Sequence, residues 1–180
     1  MPKFIHLHTH SHYSLLNALP KVDALIKTAK NDGMNAIALT DSGNMYATIE
    51  FIQECTKAEI KAIIGVDFYI AARTRLDKEH RLDNKHTRIV LLAKNMDGYR
   101  NLIKLVSRSN LEGFYYKPRI DRELMEELND GLVAILPSFN NEIFALSLES
   151  PRLLINLNPP VSPPDNPKYE FKFKGYEIVC

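Results

Sequence analysis

The chain has 180 residues, a formal net charge of +1 at pH 7 and 45% hydrophobic residues, which is typical of one globular domain with a possible short appendage and gives no general electrostatic attraction to nucleic acid. Two cysteines exclude a disulfide scaffold and fit a reducing compartment. No apolar run reaches the ~20 residues of a membrane span, and the first residues lack the apolar core of a secretory signal, so we expect a cytoplasmic protein without membrane contact.

Histidines dominate the first segment. Four of the six histidines fall at every second position: His6, His8, His10 and His12. Alternate side chains of a strand share a face, so a strand that begins at Phe4 would gather imidazoles at its C-terminal end. Imidazole is a common metal ligand, and this spacing predicts a metal site. The alternative is an expression tag or a loosely metal-binding surface, which the flanking apolar and turn residues disfavour.

The next sixty residues alternate helical and strand patterns. A helical pattern through Val22–Ala29 ends at Asn31-Asp32-Gly33, where glycine suits a helix C-terminus. The apolar run 36–39 predicts a buried parallel strand, and 61–70 predicts another. Between them we expect a helix over 45–57 with Ile49, Ile52 and Cys55 roughly on one apolar face. This alternation is typical of a parallel α/β sheet or barrel.

The polar turn 40–44 separates the first of these strands from the second helix. Gly43 is expected to supply a turn conformation that a side chain would disfavour. Asp41 is expected to cap the following helix by accepting hydrogen bonds from backbone amides. Replacing Asp41 would then lower stability without changing metal content.

Residues 73–87 are rich in both signs of charge. The favoured interpretation is a solvated loop. The sharper hypothesis is a basic rim in which Arg73, Arg75 and Arg81 contact DNA phosphates.

Alternating elements continue beyond this loop. We expect a strand over 88–93, a helix over 97–109 with Leu102, Leu105 and Val106 inward, and a short helix capped by Asp121 and ending near Leu128. A fifth strand at 132–136 and a short helix at 140–148 follow. Base stacking by the aromatic cluster 114–116 is possible in principle, but packing at an element boundary is the favoured interpretation.

The character of the chain changes after Ser150, where six of its ten prolines fall. Prolines disfavour helix and central strand, so residues 151–180 are interpreted as a proline-rich tail or linker. Residues 169–174 alternate aromatic and charged side chains, which suits an edge strand or a partner-binding strand.

Six stretches carry a resemblance to a known family. In order they are FIHLHTHS (4–11), ALTDSGNMY (38–46), IIGVDFY (63–69), LLAKN (91–95), GYRNL (98–102) and LEGFYYKPRIDR (111–122). They are similar to motifs of the PHP (polymerase and histidinol phosphatase) family, and most closely to the PHP region at the N-terminus of bacterial replicative DNA polymerase III alpha subunits. The resemblance implies an α/β fold: residues 1–150 would form an incomplete, distorted (β/α)7 barrel, and 151–180 the tail.

The resemblance also implies a reduced metal site. Metal-binding members hold up to three zinc or manganese ions at the C-terminal ends of their strands. His8 and His10 match the first ligand pair, and Asp67 replaces a bridging glutamate. The other ligand positions depart from the family pattern: Asn17, Ser42, Arg88 and, in a looser alignment, Ser138. The retained set would hold one Zn or Mn ion at most; His12 and His86 are conceivable substitutes.

In polymerase members with similarly reduced ligand sets the PHP domain is regarded as structural. The resemblance therefore implies a structural or interaction role, with three kinds of partner: the remainder of the alpha subunit, a proofreading exonuclease subunit, and DNA held through the parent polymerase. The polymerase palm is not within these residues. The alternative is a metal-dependent phosphoesterase or 3′–5′ proofreading exonuclease. An incomplete barrel would also expose a sheet edge, so we expect either self-association or a need for a downstream polypeptide, with any edge pairing through 132–136 or 169–173.

Overall fold

The computed structural model describes residues 4–136 and, for the backbone, the strand segments 171–173 and 176–178. The helices are α1 Val22–Asn31, α2 Thr48–Ala58, α3 Met96–Leu111 and α4 Arg122–Glu127. The strands are β1 Ala36–Leu39, β2 Lys61–Ala71, β3 His86–Ala93, β4 Arg119–Ile120, β5 Leu132–Ile135, β6 Phe171–Phe173 and β7 Tyr176–Ile178. The helix predicted at 140–148, Ser138 and most of the proline-rich tail lie outside the described residues.

The strands form one mixed sheet in the order β1-β2-β3-β5-β7-β6, with β4 beside β2. The free edge expected at 132–136 is wrong, because β5 pairs with β3 on one side and with β7 on the other. The prediction of a parallel sheet is also wrong for its centre: β3 runs antiparallel to both β2 and β5. The physical reason lies in the connection between β2 and β3. No helix crosses over between these strands within 72–85, and a chain that returns directly pairs antiparallel.

The histidine segment is not a strand, contrary to the sequence prediction. Its backbone bends at Leu7 and His8, which interrupts the regular alternation of side chains between two faces. The segment nevertheless runs beside β1, because Ala38 N donates to His6 O at 2.9 Å and Thr40 N donates to Thr9 O at 2.8 Å. It is thereby held at the edge of the sheet without a continuous ladder.

Helices α3 and α4 cover one face of the sheet. Alternate residues Val66, Phe68 and Ile70 of β2 pack in the same cluster as Leu102 and Leu105 of α3. The inward face predicted for the 97–109 helix is confirmed, since Val106 packs against this cluster as well. The cap by Asp121 is also confirmed, because its Oδ1 accepts a hydrogen bond from Leu124 N at 3.0 Å.

Helices α1 and α2 form a second cluster with β1. Here the predicted face of α2 is wrong: Ile49 and Ile52 are 61% and 37% exposed. The helix buries Thr48, Phe51 and Cys55 instead. The spacing i, i+3, i+7 follows the 3.6-residue period more closely than i, i+3, i+6, so the observed stripe keeps all three side chains against α1 and β1.

Candidate metal centre

Two histidines and one aspartate converge beside the end of β1. His8 and His10 come from the segment along β1, and Asp67 comes from the middle of β2. His8 Nε2 lies 3.1 Å from His10 Nε2, and Asp67 Oδ2 lies 3.0 Å from the first nitrogen and 3.1 Å from the second. Asp67 is 1% exposed. The structure thus brings together the three ligands predicted from the sequence.

Arg88 approaches the same carboxylate from β3. In the antiparallel register Asp67 faces Val90 and Tyr69 faces Arg88, so Arg88 reaches Asp67 diagonally. Its Nε donates to Asp67 Oδ1 at 2.9 Å, and a terminal nitrogen donates to Asp67 Oδ2. The same terminal nitrogen donates to Ser42 Oγ at 2.8 Å, and the guanidinium carbon lies 4.7 Å from the centre of the Tyr69 ring.

Opposing effects set the ionisation of Asp67. Burial raises the pKa of this carboxyl, but hydrogen bonds with His10, His8 and Arg88, together with the charge of Arg88, outweigh burial. The net result is a pKa far below the ordinary aspartate value. Asp67 is therefore a carboxylate across the physiological range, paired with a permanent cation.

Asp41 anchors the loop after the histidines and does not cap α2, contrary to the prediction. The residue at the N-terminus of α2 is Ala47, without a side-chain cap. Asp41 Oδ1 instead accepts from Ser11 N at 2.7 Å and from Ser14 Oγ at 2.6 Å, and its Oδ2 accepts from Ser11 Oγ at 2.7 Å. Ser42 N in turn donates to Ser14 Oγ at 3.0 Å. The polar turn after β1 therefore fixes the loop that follows His10.

The Gly43 expectation is confirmed. Its φ of +66° is the left-handed conformation that glycine favours. A Cβ there would also lie 2.7 Å from Pro118 Cγ. The close approach lets the turn carry Ser42 alongside Asp67, where the two residues form an isolated parallel bridge.

The donor set fits a single transition-metal ion. Ligands around a tetrahedral zinc ion, each about 2.0 to 2.1 Å from the metal, are roughly 3.3 Å apart. The three atoms here are 3.0 to 3.1 Å apart, so small adjustments would suffice. Two imidazoles and a carboxylate suit zinc and, less specifically, manganese. Against this, Arg88 already binds the oxygen that the ion would use.

Among the described residues, the metal-ligating group contains His8, His10 and Asp67 and does not extend to the two substitute histidines. His12 packs its ring against Tyr13 with centroids 4.3 Å apart. His86 stands edge-on to Tyr69, and burial lowers its pKa.

Asn17 lines a groove of about 1270 Å³ that runs from His8 and His10 over α1. Three protein ligands cannot form the three-ion centre of metal-binding family members.

The three arginines proposed for nucleic acid lie in different surroundings. Arg73 donates to the buried Asp83 through Nε at 2.9 Å. Arg75 is 6% exposed, and its Nη1 donates to both Asp121 oxygens at 3.0 Å. Arg81 is exposed, with a φ of +76°. The structure thus directs Arg73 and Arg75 toward this chain's own carboxylates, and a contact of the three with DNA stays a prediction.

Sequence reasoning missed Arg119. This side chain is 1% exposed and donates to four backbone carbonyls, at 3.0 Å to Gly113, 3.0 Å to Asp83, 3.1 Å to Arg75 and 2.8 Å to Asp77. It ties the loop after β2 to the loop after α3. A two-residue strand offers no periodic signal, so the pattern could not distinguish this arginine from a surface one.

The aromatic cluster is divided between packing and exposure. The Arg119 guanidinium carbon lies 5.3 Å from the centre of the Tyr115 ring, which contributes packing at the end of α3. Phe114 and Tyr116 are 52% and 65% exposed. The packing interpretation therefore describes Tyr115 and leaves the other two rings at the surface.

Comparison with known proteins identifies the family of this chain. The PHP domain profile matches residues 6–157. The chain is 45% identical over 133 residues to the DNA polymerase III subunit alpha of Treponema pallidum, 48% over 132 residues to that of Borreliella burgdorferi, and 43% over 145 residues to that of Thermus aquaticus. These alignments cover 73%, 73% and 78% of the chain, but only 11% to 12% of the length of the relatives.

A solved structure of a protein described as a metal-dependent phosphoesterase, from Bifidobacterium adolescentis, is a distant neighbour. It aligns with a TM-score of 0.44 and 10% identity over 61% of this chain and 34% of its own, a likeness too weak to bear on function.

In the part of the chain that the structure describes, no helix has both the length and the apolarity to cross a membrane. The match over residues 6–157, together with the converging His8, His10 and Asp67, shows that the chain belongs to the PHP domain family.

Proposed function

We propose that this chain is the N-terminal PHP region of a replicative DNA polymerase III alpha subunit and that it acts there as a structural and interaction module in the cytoplasm. The observation that carries the proposal is the identity of 43% to 48% with alpha subunits over about three quarters of the chain. The parent would be a DNA-directed DNA polymerase. Its palm, with the carboxylates that bind the catalytic metals, would lie in the part of the relatives that this chain does not match.

The reduced ligand set supports a structural role over a hydrolytic one. Two-metal sites accelerate hydrolysis of a phosphate ester by stabilising both the attacking and the leaving oxygen. In the part of the chain that the structure describes, three side chains can reach one ion, and Arg88 already pairs with the carboxylate among them. The Arg88 guanidinium neutralises Asp67 without offering an open coordination position to water or substrate.

The partners follow from the same proposal. The remainder of the alpha subunit would pack on this region and complete the barrel of residues 1–150, and the tail 151–180, whose strand β7 pairs with β5 and whose strand β6 pairs with β7, would lead toward it. DNA would be held through the parent, and a proofreading exonuclease subunit would dock on the assembled polymerase. The sheet order supports this arrangement, because the terminal strand β6 falls within the 169–174 segment whose alternation suits an edge.

A metal-dependent phosphoesterase or 3′–5′ exonuclease is the second candidate. The observation that favours it is the mutual approach of His8 Nε2, His10 Nε2 and Asp67 Oδ2 within 3.1 Å. These three residues would hold one Zn or Mn ion, which would polarise a phosphoryl oxygen or activate water. His8 and His10 would orient the ion, and Asp67 would supply its negative ligand.

An association experiment distinguishes the two candidate functions. The full chain is mixed with the alpha subunit of a curated relative from which the matched PHP residues have been deleted. A structural module should bind this partner, restore its stability and primer extension, and do so equally well after His8→Ala and His10→Ala together. Absence of binding, combined with one stoichiometric metal ion per chain and with phosphodiester cleavage, both abolished in the double variant, would replace the proposal with the second candidate.

A further inference from the structure

We propose that the Arg88 guanidinium serves as the built-in cation of the His8–His10–Asp67 cluster, so that Arg88 and a transition-metal ion compete for one carboxylate. The inference rests on the proposed structural function and deepens it, because it states what keeps the ligand cluster assembled in a domain that does not depend on an ion. It assigns Arg88 the role of an internal antagonist of metal binding.

The hydrogen bonds of Asp67 establish the competition. Its Oδ1 accepts from Arg88 Nε at 2.9 Å, and its Oδ2 accepts from the Arg88 terminal nitrogen. The two imidazoles reach the same Oδ2, at 3.0 Å from His8 and 3.1 Å from His10. An ion held by these three ligands must bind an oxygen that already carries a guanidinium. The two cations would be neighbours at a carboxylate that is 1% exposed, where repulsion between like charges is stronger than in bulk water.

Two contacts and the strand register restrain the Arg88 side chain. Its terminal nitrogen donates to Ser42 Oγ at 2.8 Å, and its guanidinium carbon stacks 4.7 Å from the centre of the Tyr69 ring. The β2–β3 register sets Arg88 directly opposite Tyr69, which fixes the backbone position from which the Arg88 side chain extends. Arginine is a permanent cation in proteins, so the positive charge beside Asp67 is a fixed feature of the site.

The bidentate geometry distinguishes this role from that of a surface ion pair. Only a planar fork can engage both oxygens of Asp67 while a third hydrogen bond reaches Ser42. A neutral side chain at position 88 would leave the two imidazoles and the carboxylate free to bind an ion. The same substitution would remove the partner of a buried carboxylate, so the domain without metal would lose stability.

The test measures zinc binding, by competition with a chromophoric chelator, to the full chain and to its Arg88→Ala variant. Arg88→Gln, which is neutral but can still donate to Asp67, is the second variant should Arg88→Ala fail to fold. Arg81→Ala is the matched control, because it removes an exposed arginine from the neighbouring loop. Melting temperatures with and without zinc give a readout that is independent of activity.

We expect each neutral variant at position 88 to bind zinc at least tenfold more tightly than the unaltered chain, and Arg81→Ala to match the unaltered chain. The neutral variants should melt lower without zinc and regain stability with it, and adding His8→Ala and His10→Ala should abolish the gain. Equal zinc affinity with and without Arg88, or a gain that survives loss of both histidines, would overturn the inference. Neither outcome affects association with the polymerase, so failure here is distinct from failure of the proposed function.

Discussion

Replacement of Asp41 by alanine tests whether the turn after β1 fixes the histidine loop. Asp41 is 2% exposed and accepts three hydrogen bonds, one from the Ser11 backbone amide and two from the Ser11 and Ser14 hydroxyls. Bonds to a charged acceptor contribute about 1.5 to 3 kcal/mol each, so their low limit totals ~4.5 kcal/mol. Removal of a buried charge offsets part of this sum, which leaves an expected loss of ~3 kcal/mol.

Urea unfolding and differential scanning calorimetry measure this loss. In a domain of this size ~1 kcal/mol shifts the melting temperature by roughly 2 to 4 °C, so Asp41→Ala should lower it by about 6 to 12 °C. Asp41→Asn, which keeps the shape and one acceptor, should lose less. Replacement of the exposed Asp130 is the control. A helix cap would contribute about 1 kcal/mol, so a loss no larger than that for Asp41→Ala would refute the anchoring role.

Three further predictions concern the rest of the fold. Chiefly through its hydrogen bond, Arg73 lowers the pKa of Asp83 to about 2; the stability from this depressed pKa is complete above about pH 4 and is lost as the pH falls toward 2. Asp83→Asn should therefore flatten the fall of the urea midpoint in that window, and an unchanged slope would contradict the pairing. A Cβ on Gly98 would lie 1.9 Å from Gly131 O, so Gly98→Ala should cost about 1 to 3 kcal/mol in urea unfolding, and a neutral result would show that α3 can shift freely. Burial raises the pKa of Cys55 to about 11; in a variant without the second cysteine, iodoacetamide should react only after unfolding, and rapid native labelling would refute its inertness.

Local patterns predicted most elements of the described part of the chain. The apolar run 36–39 became β1 with the same bounds, and the helix expected at 97–109 became α3, Met96–Leu111, with Leu102 and Leu105 buried. These elements were predictable because burial on one face imposes a period on the sequence. The buried face of α2 was not predictable, because Ile49 and Phe51 each belong to a plausible apolar stripe along the helix. Only contact with α1 and β1 shows which of the two stripes is buried.

The sequence predicted which residues would come together in the candidate site, but it did not predict how Arg88 and Asp67 pair there. His8 and His10 follow from their spacing and the family resemblance, and Asp67 follows from the resemblance alone. That Arg88 departs from the ligand pattern was visible in the sequence. Its bidentate hold on Asp67 was not, because the direction of β3 relative to β2 decides which side chains meet across the sheet.

The sequence by itself determined the family and most helices and strands of the described part of the chain, and it singled out three residues that converge, because motifs and hydrophobic periods are written along the chain. Tertiary structure alone decided that Asp41 anchors the histidine loop, that Arg75 is buried among carboxylates and that Arg88 occupies the carboxylate of the metal cluster. Each of those roles joins residues more than twenty positions apart. Such contacts depend on strand direction and register, which pairing across the sheet sets and no local pattern records.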